Sequence, residues 1–160
     1  GSRPEKSAEI ARKMIADLVQ MESQGVFKAD PTYVERCVQL HSHSVDAIRE
    51  GMIAAQKANL RMQFALHWSS TRERATQTSV SKVAADIAKD EPNWEKAGVD
   101  IAVKLGCQTI NFIPNPGITQ EVVDYAHSKG LKVYVGNTDS KAEAEKFLKM
   151  GIDKIIYEEI

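Results

Sequence analysis

Several signals that would assign a function at once are missing from this chain of 160 residues. Its two cysteines, Cys37 and Cys107, are too few for a disulfide framework, and because both lie in apolar runs we expect buried free thiols. A net charge of −1 gives no basic field for nucleic acid or an anionic membrane. No apolar stretch approaches the length of a membrane span.

Motifs that carry chemistry are also missing. The sequence contains no nucleophile elbow, Walker loop, CxxC pair or HExxH, and no pair of carboxylates stands out as an acid/base couple. We therefore predict no catalytic and no metal residues. Without a signal peptide or disulfides, the expected location is the cytoplasm. The leading Gly1-Ser2 is typical of a protease scar left by expression.

One repeated pattern organises the second half of the chain. An amphipathic stretch ends at a glycine and a short β-branched run follows at once, at Gly106, Gly130 and Gly151. Glycine takes the left-handed conformation just past a helix end at no steric cost. Helix, glycine and strand, repeated in this way, predict αβ units that feed a parallel sheet.

These units predict an α/β fold: a partial TIM-type barrel of repeated βα units, with about five parallel strands and flanking helices. We expect an N-terminal helical segment over 3–36, with a helix at 8–21, and the partial barrel over 37–160. The predicted strands are 37–42, 61–68, 107–113, 131–136 and 152–157. The strand predicted at 61–68 is followed by a long segment, Ser69 to Pro92, that is polar at its start. The later part of this segment, Val80 to Ala88, has the pattern of a helix.

Ligands of parallel α/β folds bind at the carboxyl ends of the strands. This rule selects six candidate ligand-binding residues: His41, His43, His67, Asn111, Asn137 and Asp139. His41 and His43 are two residues apart, so on a strand they face the same side. Paired histidines can bind a transition metal, with His67, Glu158 or Asp139 as a third ligand, but ordinary strand-end histidines are the commoner explanation.

Two further features of the sequence could bind an anion. The turn from Gly136 to Asp139 could offer backbone N–H groups at the start of the following helix, or be a plain capping turn. Arg72 and Arg74 could clamp a phosphate, although a solvated charged loop is commoner.

The run from Cys37 to Glu158 resembles the second part of bacterial-type glycerophosphodiester phosphodiesterases. Val123 to Val135 is similar to the family's "Ala-His-x-x-Gly-Leu-x-Val" helix–strand junction, and Phe147 to Ile156 to its closing "Gly-Val-Asp-x-Ile" strand. Weaker likeness covers Val38 to Ile48 and Leu105 to Ile113.

The resemblance implies a TIM-type barrel that hydrolyses glycerophosphodiesters with a divalent metal and two histidines. The family's His-Arg-Gly, Glu-x-Asp, His-Asp and Glu-x-Lys motifs have no counterpart here, so no cofactor is expected. The family's Trp-Thr-Val-Asn falls on Gly136 to Asp139, and its closing Thr-Asp on Tyr157-Glu158. Both changes affect substrate-facing positions.

Three functions remain open. The first is a non-catalytic module for self-assembly or protein interaction, because a partial barrel exposes two edge strands. Its partner would be a second copy of the chain or a protein that supplies the missing strands. The second is the C-terminal half of a phosphodiesterase whose catalytic half comes from another segment or chain. The third is a new metal or phosphate site at His41, His43 and His67.

Overall fold

The computed structural model describes residues 4–159, and for Pro4 the backbone only, so the predicted scar at Gly1-Ser2 lies outside the described residues. Its helices are α1 Pro4–Ser23, α2 Tyr33–Cys37, α3 Val45–Lys57, α4 Arg72–Thr76, α5 Ser79–Ile87, α6 Trp94–Leu105, α7 Gln120–Ser128 and α8 Lys141–Lys149. Its strands are β1 Gln39–Ser42, β2 Gln63–Trp68, β3 Thr109–Phe112, β4 Lys132–Thr138 and β5 Lys154–Tyr157.

The strands form one parallel sheet in the order β1-β2-β3-β4-β5. Each strand pairs with the next strand along the chain, which is the connectivity of a barrel and not of a doubly wound sheet. The sheet does not close, since β1 and β5 each have one neighbour. The predicted fold class, a partial TIM-type barrel of five parallel strands with flanking helices, is confirmed.

One face of the sheet is covered by helices and holds the core. Side chains alternate between the two faces of a strand, so every second residue points toward the helices. On β2, on β3 and on β4 as far as Val135 these residues are buried, whereas Ser42, Ile155 and Tyr157 on the edge strands are partly or largely exposed. The largest buried side chains lie in register across the sheet: Leu40 with Phe64, Leu66 with Ile110, Trp68 with Phe112, and Phe112 with Val135. Helix α1 joins this core through Ala11 and Ile15, and it packs mainly on α3.

The other face is concave and carries mostly polar side chains. It corresponds to the interior of a closed barrel. The inward residues of β1 to β5 are Gln39, His41, Gln63, Ala65, His67, Thr109, Asn111, Lys132, Tyr134, Gly136, Lys154 and Ile156. No helix in the described part of the chain is both long and apolar enough to cross a membrane.

The helix signals explain most boundaries. Ser44 and Ser140 cap α3 and α8, accepting hydrogen bonds from the backbone N–H groups of Ala47 and Glu143. Gly106 ends α6 with a φ of 86°, in the left-handed region that the sequence pattern required. The division of the chain at residue 37 stays a prediction.

One prediction about a cysteine is wrong. Cys37 is exposed, because it ends the short helix α2 and does not begin a strand. Cys107 is buried as expected, and burial raises the pKa of its thiol to about 12.

Candidate functional site

Three of the predicted histidines lie together at the carboxyl end of the sheet. His41 is on β1, His43 follows β1, and His67 is on β2 facing the same concave side. The ring centroids of His43 and His67 are 4.1 Å apart and nearly stacked, and those of His41 and His67 are 5.9 Å apart. Sequence spacing placed His41 and His43 on one face, and strand pairing adds His67.

Burial keeps two of these rings uncharged. Desolvation and the neighbouring His41 lower the pKa of His43. Desolvation, followed by His43 and His41, lowers the pKa of His67 to about 4. At neutral pH each ring therefore offers one N–H donor and one lone pair.

The concave face also carries polar atoms that are buried without a partner. They are His43 Nδ1, His67 Nε2, Thr109 Oγ1 and Asn111 Oδ1. Asn111 is paired in register with His67. Buried polar atoms normally have a hydrogen-bond partner, so a water or a ligand is expected against this part of the sheet.

The remaining predicted residues lie elsewhere. Asn137 is exposed near the end of β4, and its side-chain amide donates to Glu158 Oε1, one strand further on. Asp139 is exposed just after β4. Strand β3 separates both residues from His67 on β2.

The hypothesis of a metal site receives no support. Within residues 4–159, no group of three or more His, Cys, Asp or Glu side chains is arranged to hold a metal ion.

The two arginines that were candidates for a phosphate clamp have different positions. Arg72 donates to the backbone oxygens of Ala88 and Glu91, and its guanidinium lies 5.1 Å from the ring centroid of Trp94. It therefore fixes the segment between β2 and α6. Arg74 lines a pocket at the carboxyl end of the sheet.

This pocket, of about 480 Å³, is formed by residues that follow β1, β2 and β3 together with α4, α5 and the loop between them. Its polar lining residues are His43, Ser69, Ser70, Arg74, Gln77, Thr78 and Ser81. Val80 and Ile113 supply apolar surface. Nothing in the sequence distinguishes these serines and threonines, because hydroxyl residues are common in any polar loop.

Two tryptophans hold one wall of the pocket. The rings of Trp68 and Trp94 stack with centroids 4.2 Å apart. Trp68 Nε1 donates to the Trp94 carbonyl at 2.9 Å, and Trp94 Nε1 donates to the Ser69 carbonyl at 2.8 Å. The Ser69 carbonyl at the pocket is therefore held by the indole of Trp94, which is itself fixed by Trp68.

A buried carboxyl was also missed. Glu95 lies in the first turn of α6 and is only 8% exposed, and burial raises its pKa. Its carboxyl group lies against Gly117, where an added Cβ atom would come within 2.3 Å of Oε1. An acidic residue at the start of a helix is usually exposed, so the sequence gave no sign of burial.

Comparisons with known proteins support the fold only. No protein-family profile and no curated protein matches the sequence. The structure is similar to a protein from Silicibacter pomeroyi DSS-3 that is provisionally described as a glycerophosphoryl diester phosphodiesterase, with a TM-score of 0.63 and 15% identity. The match covers 93% of this chain and 41% of that protein, so the chain spans less than half of its length. The resemblance noted in the sequence therefore holds at the level of the fold.

Proposed function

We propose that this chain is a non-catalytic assembly module: an incomplete TIM-type barrel whose free edge strands pair with a second copy of the chain. The observation that carries the proposal is a groove of about 310 Å³ beside the β1 edge. Its apolar lining consists of Met14, Leu18, Met21, Val38, Leu40 and Met62, with Asp17 and Gln39 at its polar part.

The topology explains why this groove is apolar. In a βα barrel, a helix covers the boundary between the strands that it connects. Helix α1 leads into β1 through α2, so its uncovered side would lie over a strand preceding α1. Met14 is 53% exposed on that side. An edge strand next to an apolar groove is a template for strand addition.

The opposite edge offers matching chemistry. Strand β5 reads Lys-Ile-Ile-Tyr, and Tyr157 is 57% exposed. A two-fold axis along the barrel would keep all strands parallel and bring β5 of each copy to β1 of the other. Ile155 and Tyr157, on the helix side of β5, would then face the groove of the partner.

Light scattering coupled to size exclusion tests this proposal. We expect the wild-type chain to have the mass of two or more copies. The measured mass should rise with protein concentration. Met14→Glu should shift it to monomer, because a carboxylate in a strand-filled groove would be desolvated without a partner. Val19→Glu is the matched control, since Val19 is 37% exposed on α1 and does not line the groove. A wild-type monomer at all concentrations, or equal effects of both substitutions, would contradict the proposal.

A second candidate function is the C-terminal part of a phosphodiesterase whose catalytic part is supplied by another segment or chain. The structural similarity to the Silicibacter protein favours it. Hydrolysis of glycerophosphocholine in the presence of Mg²⁺ or Ca²⁺ is the direct assay. We expect no turnover by this chain alone, because the family's metal-binding motifs have no counterpart in its sequence. Turnover that is lost in His43→Ala would favour the hydrolase.

A further inference from the structure

We infer that the pocket between the ends of β1, β2 and β3 and helices α4 and α5 binds a small oxyanion, such as a carboxylate or a phosphate group, through Arg74. This inference concerns a different surface from the β1 edge and does not depend on the assembly proposal.

The charge of the lining is the first argument. Arg74 is the one formally charged side chain among the described lining residues, and no acidic side chain lines the pocket. Within the described residues its guanidinium has no ion pair, and Nη1 makes a long hydrogen bond of 3.5 Å to Ser70 Oγ. A guanidinium has five N–H donors, so most of them are available to a ligand.

The second argument is an unsatisfied group in the same lining. His43 lines the pocket, and its Nδ1 is buried with no hydrogen-bond partner. The ring is stacked on His67, which fixes its orientation. A ligand group that reached Nδ1 would supply the hydrogen bond that this atom lacks.

The third argument is the supply of further donors. The hydroxyl groups of Ser69 and Ser70 and the amide of Gln77 are in the same lining. Oxyanions are typically held by one cation together with several neutral donors. Val80 and Ile113 leave room for a small uncharged body on the ligand.

By contrast, Arg72 cannot serve this role. Its donors are used by the carbonyls of Ala88 and Glu91, and its plane lies over Trp94. Of the two arginines that the sequence offers for anion binding, only Arg74 is therefore available.

Titration calorimetry with inorganic phosphate and, separately, with acetate tests the inference. We expect saturable binding of at least one of the two anions, and the arm that binds identifies the oxyanion. Trp68 and Trp94 are the only tryptophans of the chain, and Trp94 bonds to Ser69 of the pocket, so their fluorescence should change on binding.

Three variants make the test specific. Arg74→Gln should weaken binding about tenfold or more, as expected for a charge-assisted hydrogen bond. Arg74→Lys should recover part of the affinity. Arg61→Gln, which removes the same charge from an exposed arginine before the start of β2, should bind like the wild type. Arg74 and Arg61 are both exposed, so the three variants are expected to fold, which circular dichroism checks.

Two outcomes would overturn the inference. One is that neither phosphate nor acetate binds saturably to the wild-type chain. The other is that Arg74→Gln and Arg61→Gln weaken binding equally, since this would mean a general effect of net charge and not a site.

Discussion

The stacked histidines should make the stability of the protein depend on pH. The pKa of His67 is lowered from 6.5 to about 4 by its surroundings in the folded chain. Above about pH 7 the ring is neutral in both states and the shift has no effect. As the pH falls below 6.5, the unfolded chain takes up a proton that the folded chain does not bind, so the free energy of unfolding decreases.

The size of this decrease follows from the two pKa values. For a single ring, going from pH 7.5 to pH 5 lowers the free energy of unfolding by about 2 kcal/mol. The His67 ring is partly exposed, which screens the penalty, so we expect about 1–2 kcal/mol. Protonation of His43 should add a contribution of the same sign, because its pKa is also lowered.

Urea denaturation at pH 7.5, 6 and 5, followed by tryptophan fluorescence, measures this dependence. His67→Gln removes the titrating group and keeps a polar side chain, so its stability should fall less between pH 7.5 and 5 by about 1–2 kcal/mol. His41→Gln, which removes an exposed ring from the same face, should retain most of the wild-type fall.

Keeping the pH at 5 or above limits the contribution of carboxylates. Asp30 and Asp153 have lowered pKa values, so the stability they provide is lost at lower pH. A His67→Gln variant that loses stability as steeply as the wild type would refute the reasoning.

The remaining predictions concern packing and thiols. Gly98→Ala should destabilise the fold by about 1–3 kcal/mol in urea denaturation, because the added Cβ atom would lie 2.7 Å from the buried ring of Trp68. If the variant is instead more stable, as the higher helix propensity of alanine alone would make it, the Trp68 ring must move aside. Titration with a thiol reagent at neutral pH should label Cys37 quickly and leave Cys107 unreacted until the chain unfolds, because Cys107 is buried and the pKa of its thiol is about 12. Labelling of both at one rate would contradict the buried position.

The order of elements could be predicted because the same local signals repeat. Strand starts were placed too early, at 61, 107 and 152, for a physical reason. A buried apolar residue precedes each of these strands: Met62, Cys107 and Ile152. In the sequence such a residue cannot be distinguished from the first residue of the strand. Helices α2 and α4 have five residues each, which is too short for a periodic pattern.

The candidate site could be predicted only in part. The rule of strand ends identified His41, His43 and His67, because neighbouring parallel strands end at the same edge. It could not separate Arg74 from Arg72, since their difference arises from carbonyls supplied by residues 88 and 91. Such contacts depend on how the long connection between β2 and α6 folds back, and this cannot be predicted from the local spacing of residues.

The polarity of the concave face determines how an assembly would be driven. Apart from a glycine, only Ala65 and Ile156 are apolar among its inward residues. This face therefore offers little apolar surface for a partner to bury, and an open barrel has little hydrophobic reason to cover it. Apolar surface is uncovered at both edges, in the groove beside β1 and at Tyr157 on β5. In the assembly that we propose, the driving force for association is local to the edges, which is why one charge at Met14 should dissociate it while leaving the fold of each copy intact.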